Sequence, residues 1–145
     1  MKKVVIILLI LTACYSPAGK YEVENSRVLS SSKNVVWSKA LAYFEKNKIG
    51  ITSLDKDSGV ITAETSVISG KMADCGRFGS YQADDEIEGV AKINVFVKPK
   101  TSSITEVTVN TAFDNIFYDD QLLYGRKKVS CESKGFIEKS ILDSF

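Results

Sequence analysis

Histidine does not occur anywhere in the 145 residues. Its absence excludes Ser-His-Asp and Cys-His mechanisms and the commonest zinc sites. Proline is nearly as scarce, and its 2 occurrences, Pro17 and Pro99, both fall where a loop or turn is expected. No apolar run approaches the roughly 20 residues that a membrane-spanning helix needs. An excess of positive charge is also missing. Lys and Arg number 19 against 18 Asp and Glu, a formal charge of +1, so there is no electrostatic case for nucleic acid. A Gly-rich phosphate loop, a nucleophile elbow and metal-ligand spacing are absent as well. What remains is an average globular composition, 44% apolar and 26% charged, at a length that suggests one domain.

The first 14 residues read MKKVVIILLILTAC. Lys2 and Lys3 form a positive start, and Val4 to Leu11 is an apolar run that fits the core of an export signal. Leu11-Thr12-Ala13-Cys14 resembles the lipobox of bacterial lipoproteins, with an aliphatic residue, two small residues and a cysteine. The resemblance implies cleavage before Cys14, thioether diacylation of its sulfur and acylation of its amine. Several acyl chains meet the two-signal requirement for stable anchoring. Tyr15 follows where an Asp would retain the protein in the inner membrane, which implies the outer membrane, facing the periplasm. The expected organisation is a signal peptide over 1–13, a lipidated tether over 14–20 and one periplasmic domain over 21–145. Loss of Lys2 and Lys3 takes the formal charge from +1 to −1.

With Cys14 assigned to lipid, Cys75 and Cys131 remain as an even pair in an oxidising compartment. Joining them closes a loop of about 57 residues, with a chain-entropy stabilisation of roughly 4 kcal/mol. The alternative is a redox pair, which ordinarily takes the form CxxC near a helix start.

Tyr21 to Leu29 reads as a first strand, and Ser30 to Ser32 offer several N-caps. Val36, Trp37, Ala40, Leu41 and Phe44 recur with helical spacing and predict an amphipathic helix over 33–48, with Trp37 in the core. Gly50 is the expected residue at its C-terminal end. Ile49–Leu54 and Val60–Val67 form a hairpin around Asp55–Gly59, with Gly59 at positive φ. Asp55 and Asp57 faintly suggest a calcium loop, but the other ligands are missing. Residues 69–85 read as a long loop containing Cys75. Arg77, Phe78 and Tyr81 in this loop are the candidate binding residues, since functional groups concentrate on loops held by a scaffold.

Two alternating strands come next, with Ile93, Val95 and Val97 in one and Val107, Val109, Thr111 and Phe113 in the other, joined by a turn over 99–103. Residues 116–124 are ambiguous. A last strand over 127–132 carries Cys131, and Arg126-Lys127-Lys128 reads as its solvated start rather than a headgroup patch. Ser133 is placed to cap a helix over 134–144, with Ile137, Ile141 and Phe145 on one face. The expected fold is α+β: an antiparallel sheet of about five strands with both helices on one face. Asp84, Asp85, Glu86 and Glu88, and Asp114, Asp119 and Asp120, form acidic clusters that read as solvated faces. Nothing fixes two of them across a cleft as glycosidase chemistry requires.

The pattern Ile51, Asp55, Gly59, Ile61 after the helix is similar to the helix-grip domains of BamC-type lipoproteins, accessory subunits of the outer-membrane β-barrel assembly machine. The match covers about 35 residues of the 145. Those proteins carry two such domains and a long N-terminal segment, whereas this chain has room for one domain. Asp74-Cys75-Gly76, together with Val129–Ser133, Gly135 and the Ile137-Glu138-x-x-Ile141-Leu142 helix, resembles small outer-membrane lipoproteins of proteobacteria. That resemblance supports the disulfide and brings no activity with it. The expected function is a non-enzymatic, lipid-anchored module that binds an envelope protein, with no cofactor and no metal. The alternatives are a carrier of an apolar small ligand or lipid, and an inhibitor of a lysozyme or toxin.

Overall fold

The computed structural model describes residues 15–78, 81–82, 89–118 and 126–145. The expected leader, Cys14, the acidic cluster over 84–88 and residues 119–124 lie outside them. In chain order the described elements are β1 (Tyr15–Ser16), β2 (Ser26–Leu29), α1 (Lys33–Lys46), β3 (Gly50–Asp55), β4 (Val60–Thr65), β5 (Ala73–Asp74), β6 (Arg77–Phe78), β7 (Tyr81–Gln82), β8 (Gly89–Pro99), β9 (Thr105–Tyr118), β10 (Arg126–Ser133) and α2 (Phe136–Leu142). Every strand pairing among the described residues is antiparallel. The chain is α+β, with two helices and a main sheet ordered β3-β4-β8-β9-β10-β5, to which β2 adds beside β9. That makes seven strands where about five were expected. Strand β2 is the C-terminal part of the strand expected over 21–29, whereas β5, two residues inside the expected loop, is too short to show as an alternating run.

Alternation sorts the sheet into two faces. Ile61 and Ala63 of β4 lie opposite Val95 and Ile93 of β8. Val95 and Val97 in turn lie opposite Val109 and Val107 of β9. All of these side chains are fully buried. Lys92, Asn94 and Lys98 take the other face, opposite Ala112, Asn110 and Glu106. Both helices lie on the buried face. Val36, Trp37, Ala40 and Phe44 of α1 and Ile137, Ile141 and Leu142 of α2 join the sheet residues in one core cluster. The Tyr43 hydroxyl donates to Ser140 Oγ at 2.9 Å, which sets the helices side by side. Each apolar stripe has no other place to go, and burying a side chain of this size contributes about 1.5–3 kcal/mol.

The helix ends differ from expectation. Helix α1 stops at Lys46, and the left-handed residue beyond it is Lys48 (φ 54), not Gly50. The Ile49 amide donates to the Phe44 carbonyl at 3.0 Å and the Lys48 amide to the Glu45 carbonyl at 3.1 Å. This is the Schellman pattern, and half-buried Ile49 packs against the core beside it. Gly50 is already the first residue of β3. Helix α2 is capped by Gly135 at φ 78 rather than by Ser133, the last residue of β10. Ser133 Oγ instead accepts the Gly135 amide at 3.1 Å and shapes the turn into the helix.

The β3–β4 turn is as expected. The Ser58 amide donates to Asp55 Oδ1 at 3.0 Å, and this amide and the Ser58 hydroxyl hold the Asp55 carboxyl below its ordinary range. Gly59 has φ 73, and a Cβ there would come within 2.2 Å of the Val97 carbonyl oxygen. Only glycine fits both conditions.

The two edges of β9 are used differently. Strand β8 pairs along nearly the whole of one edge. The other edge is shared: β2 takes residues 105–108 and β10 takes residues 113–118. Between them the Val109 amide donates to the Asn25 carbonyl at 2.7 Å. The sheet therefore has a notch between β2 and β10.

Candidate functional site

Two places bring polar groups together. The first is built around the disulfide. Cys75 and Cys131 are bonded, with Cα atoms 4.2 Å apart. Both are buried. The bond fastens the segment after β5 to the sheet, where Asp74 already pairs with Glu132 and Ala73 with Ser133.

Asp74 then gathers the N-terminal segment. Its Oδ2 accepts the Gly19 amide at 2.9 Å and the Tyr21 hydroxyl at 2.7 Å, and its Oδ1 accepts the Gly76 amide at 2.9 Å. Partial burial pushes the Asp74 carboxyl up. These three hydrogen bonds and the nearby Lys134 charge outweigh it, so the net shift is downward. Beyond Asp74, β1 pairs with β6, Tyr15 opposite Phe78 and Ser16 opposite Arg77. Gly76 (φ 76) lies directly under this crossing, and a Cβ there would be 2.4 Å from the Ser16 carbonyl oxygen. The segment expected to be a tether is thus stitched to the domain from Tyr15 to Tyr21.

The expected binding loop is partly regular. Arg77–Phe78 (β6) pairs with Tyr81–Gln82 (β7) on one side and with β1 on the other. Phe78 and Tyr81 are direct cross-strand partners, and Arg77 is exposed. The structure brings these three candidates together in a small sheet of their own. Cys14, immediately before β1, lies outside the described residues.

The second place is the notch, which opens as a cleft of about 310 Å³ lined by residues of β9, β10 and α2 and by the segment before β2. Val109 and Thr111 belong to the helix-bearing face and Asn110 and Ala112 to the polar face, yet all four line it. Its outer part holds exposed Asn25, Asn110, Ser130 and Glu132. Deeper lies Glu138 of α2, 3% exposed. Glu138 Oε1 accepts the Thr111 hydroxyl at 2.5 Å and the Ser133 hydroxyl at 2.7 Å. Glu138 Oε2 is buried and has no hydrogen-bond donor among the described residues.

Sequence reasoning passed over Glu138. The available signal was its position three residues before Ile141 and four before Leu142, which puts a carboxylate on the apolar stripe of α2. The tie of Gly19 and Tyr21 to Asp74 spans more than 50 residues and had no local signal at all.

Among the described residues no group of three His, Cys, Asp or Glu could hold a metal ion. No helix among them is long and apolar enough to cross a membrane. No family model matches the chain, and no curated protein matches it either.

Proposed function

We propose that the chain is a bacterial lipoprotein, cut before Cys14 and anchored by lipid to the outer membrane on its periplasmic side. There its domain acts as a protein-binding, complex-supporting module without enzymatic activity. The observation that carries this reading is the stitched N-terminal segment. With Tyr15–Ser16 paired to Arg77–Phe78 and Gly19 held by Asp74, a lipid on Cys14 would be joined to the fold with almost no slack. The β1-β6-β7 sheet would then lie at the membrane surface. The opposite edge of the main sheet, β3, would stand about 24 Å away across five strand spacings. All of β3 is exposed, including Ile51 and Leu54, and an unpaired edge strand of this kind can accept a strand from a partner.

Two helices side by side on one face of an antiparallel sheet are compatible with a helix-grip fold, and we carry that assignment as part of the proposal. The cleft is lined mainly by polar side chains, which suits a polar ligand better than the apolar one a lipid carrier would hold.

The test uses the lipidated protein in its own envelope membranes. Mass spectrometry should find an acylated N-terminal Cys14, and an unmodified Cys14 thiol overturns the anchor. A photo-crosslinking residue at Leu54 should give one discrete protein adduct, and one at Arg77 should label lipid. Absence of a protein adduct from Leu54 overturns the module.

A further inference from the structure

We infer that the cleft between β2 and β10 is a binding site for an organic cation, an alkylammonium or guanidinium group, which pairs with Glu138. Such a site does not depend on whether Cys14 carries lipid.

A carboxylate offers about four acceptor positions. Glu138 has two filled, both on Oε1, by the hydroxyls of Thr111 and Ser133. The Ser133 oxygen also accepts the Gly135 amide, so its single hydrogen is committed to Glu138. These bonds fix the orientation of the side chain and leave Oε2 buried with nothing among the described residues donating to it. A charge removed from water without a counter-charge is costly, and native interiors rarely leave such a group unmatched. No basic side chain among the described residues forms an ion pair with it. The two basic residues nearest in sequence are engaged elsewhere: Lys139 pairs with Asp143 at 2.7 Å, and Lys134 donates to the Gly70 carbonyl at 2.6 Å and lies over the Tyr21 ring.

The surroundings select the sign of the ligand. Glu132 stands at the outer part of the cleft and Glu138 in its depth, and no Lys or Arg lines the space between. Both carboxylates favour a cation, and no positively charged group in the lining would favour an anion. Size limits it further. About 310 Å³ is at the small end of ligand sites, room for an aliphatic amine or for the outer part of a lysine or arginine side chain. Asn25 and Asn110, bonded to each other at 3.2 Å, add amide groups at the same opening. The same chemistry could therefore be supplied by a free amine or by a partner protein's side chain.

The experiment is a titration of the isotope-labelled protein, followed through the amide signals of Thr111, Ser133 and Glu138. The probes are n-butylammonium, n-butylguanidinium and the neutral butan-1-ol, with a second pair of acetyl-Gly-Lys-Gly-amide and its side-chain-acetylated form. Saturable shifts with the charged probes and none with the neutral ones are expected. Glu138→Gln should weaken binding at least about thirtyfold, the effect of removing one member of a buried charge pair. A tighter complex with the lysine peptide than with butylammonium assigns the cation to a protein partner, and equal affinity assigns it to a small solute. The charged probes should also raise the unfolding midpoint of the wild type, a measurement that does not depend on the variant folding. Absence of saturable binding by the wild type, or equal binding by Glu138→Gln, overturns the inference.

Discussion

Asp74 and Gly19, 55 residues apart, are joined by a 2.9 Å hydrogen bond from the Gly19 amide to Asp74 Oδ2. Through it the N-terminal segment is held against the part of the chain that the disulfide fixes, and a single carboxylate organises Gly19, Tyr21 and Gly76.

This arrangement is sensitive to acid, in a direction set by the Asp74 shift. Its carboxyl lies below the ordinary range because three hydrogen bonds and Lys134 together outweigh partial burial. A lowered folded-state value means that the contribution is present above the ordinary Asp range of about 3.9. It is lost as pH falls through the lowered value. The Gly19 and Gly76 amide signals should therefore move together in acid, with a midpoint below that of a free Asp. Asp74→Ala should abolish the transition and speed hydrogen exchange at Gly19. The loss at neutral pH should be about 1–2 kcal/mol, since solvent screens a group this near the surface.

Replacing Cys75 and Cys131 together by Ser should destabilise the domain by about 2–5 kcal/mol in urea unfolding. The loss should reach β1 as well, because β6 begins two residues beyond Cys75. Faster exchange at Tyr15 and Ser16 in the double variant is the expected sign.

Lys48→Gly should stabilise the protein. Lys48 is in the left-handed region at φ 54, which costs a residue with a Cβ roughly 1–2 kcal/mol, and glycine at this helix-end position avoids that cost. A gain of about 1 kcal/mol in chemical unfolding is expected. Gly50→Ala, two residues on, should show no comparable conformational effect, since Gly50 has an ordinary strand conformation.

Trp37→Ala and Ile141→Ala test the core from its two helices. Trp37 is 5% exposed and Ile141 fully buried. Truncation should cost about 3–5 and 2–5 kcal/mol respectively. Unfolding midpoints unchanged from the wild type in both would mean that these helix faces do not bear on the sheet.

The elements that could be read from the sequence are those whose pattern is long and local. The stripe from Val36 to Phe44 specifies α1 and its buried face. Alternation through Ile93–Val97 and Val107–Phe113 specifies the central strands and the surface that receives both helices. Gly59 marks its turn because the hairpin demands a positive φ there. The helix ends were less legible: Gly50 is the obvious terminator by residue type, but two intact hydrogen bonds place the turn at Lys48 instead. Strands of two residues are too short to show a period, so β5 and β6 are hidden in the long loop expected over 69–85. The cleft was hidden for a related reason. It arises from how β2 and β10 divide one edge of β9, and Glu138 acquires its surroundings only when Thr111 and Ser133 arrive from distant parts of the chain.

The division of that edge also governs the order in which the fold can be assembled. Ser26 of β2 meets Thr108 of β9, 82 residues further on. Between β2 and its place in the sheet lie α1, the β3–β4 hairpin, the disulfide-bearing segment and all of β8. Contacts this distant in sequence carry a large loop-closure entropy and slow the folding of β-rich domains. The β8–β9 hairpin, whose turn spans few residues, is the natural early structure, and β2 can dock only after it exists. During synthesis, or any passage that begins with the N-terminus, β2 emerges long before there is an edge to receive it. The first part of the chain must therefore wait, extended and unpaired, for most of the rest.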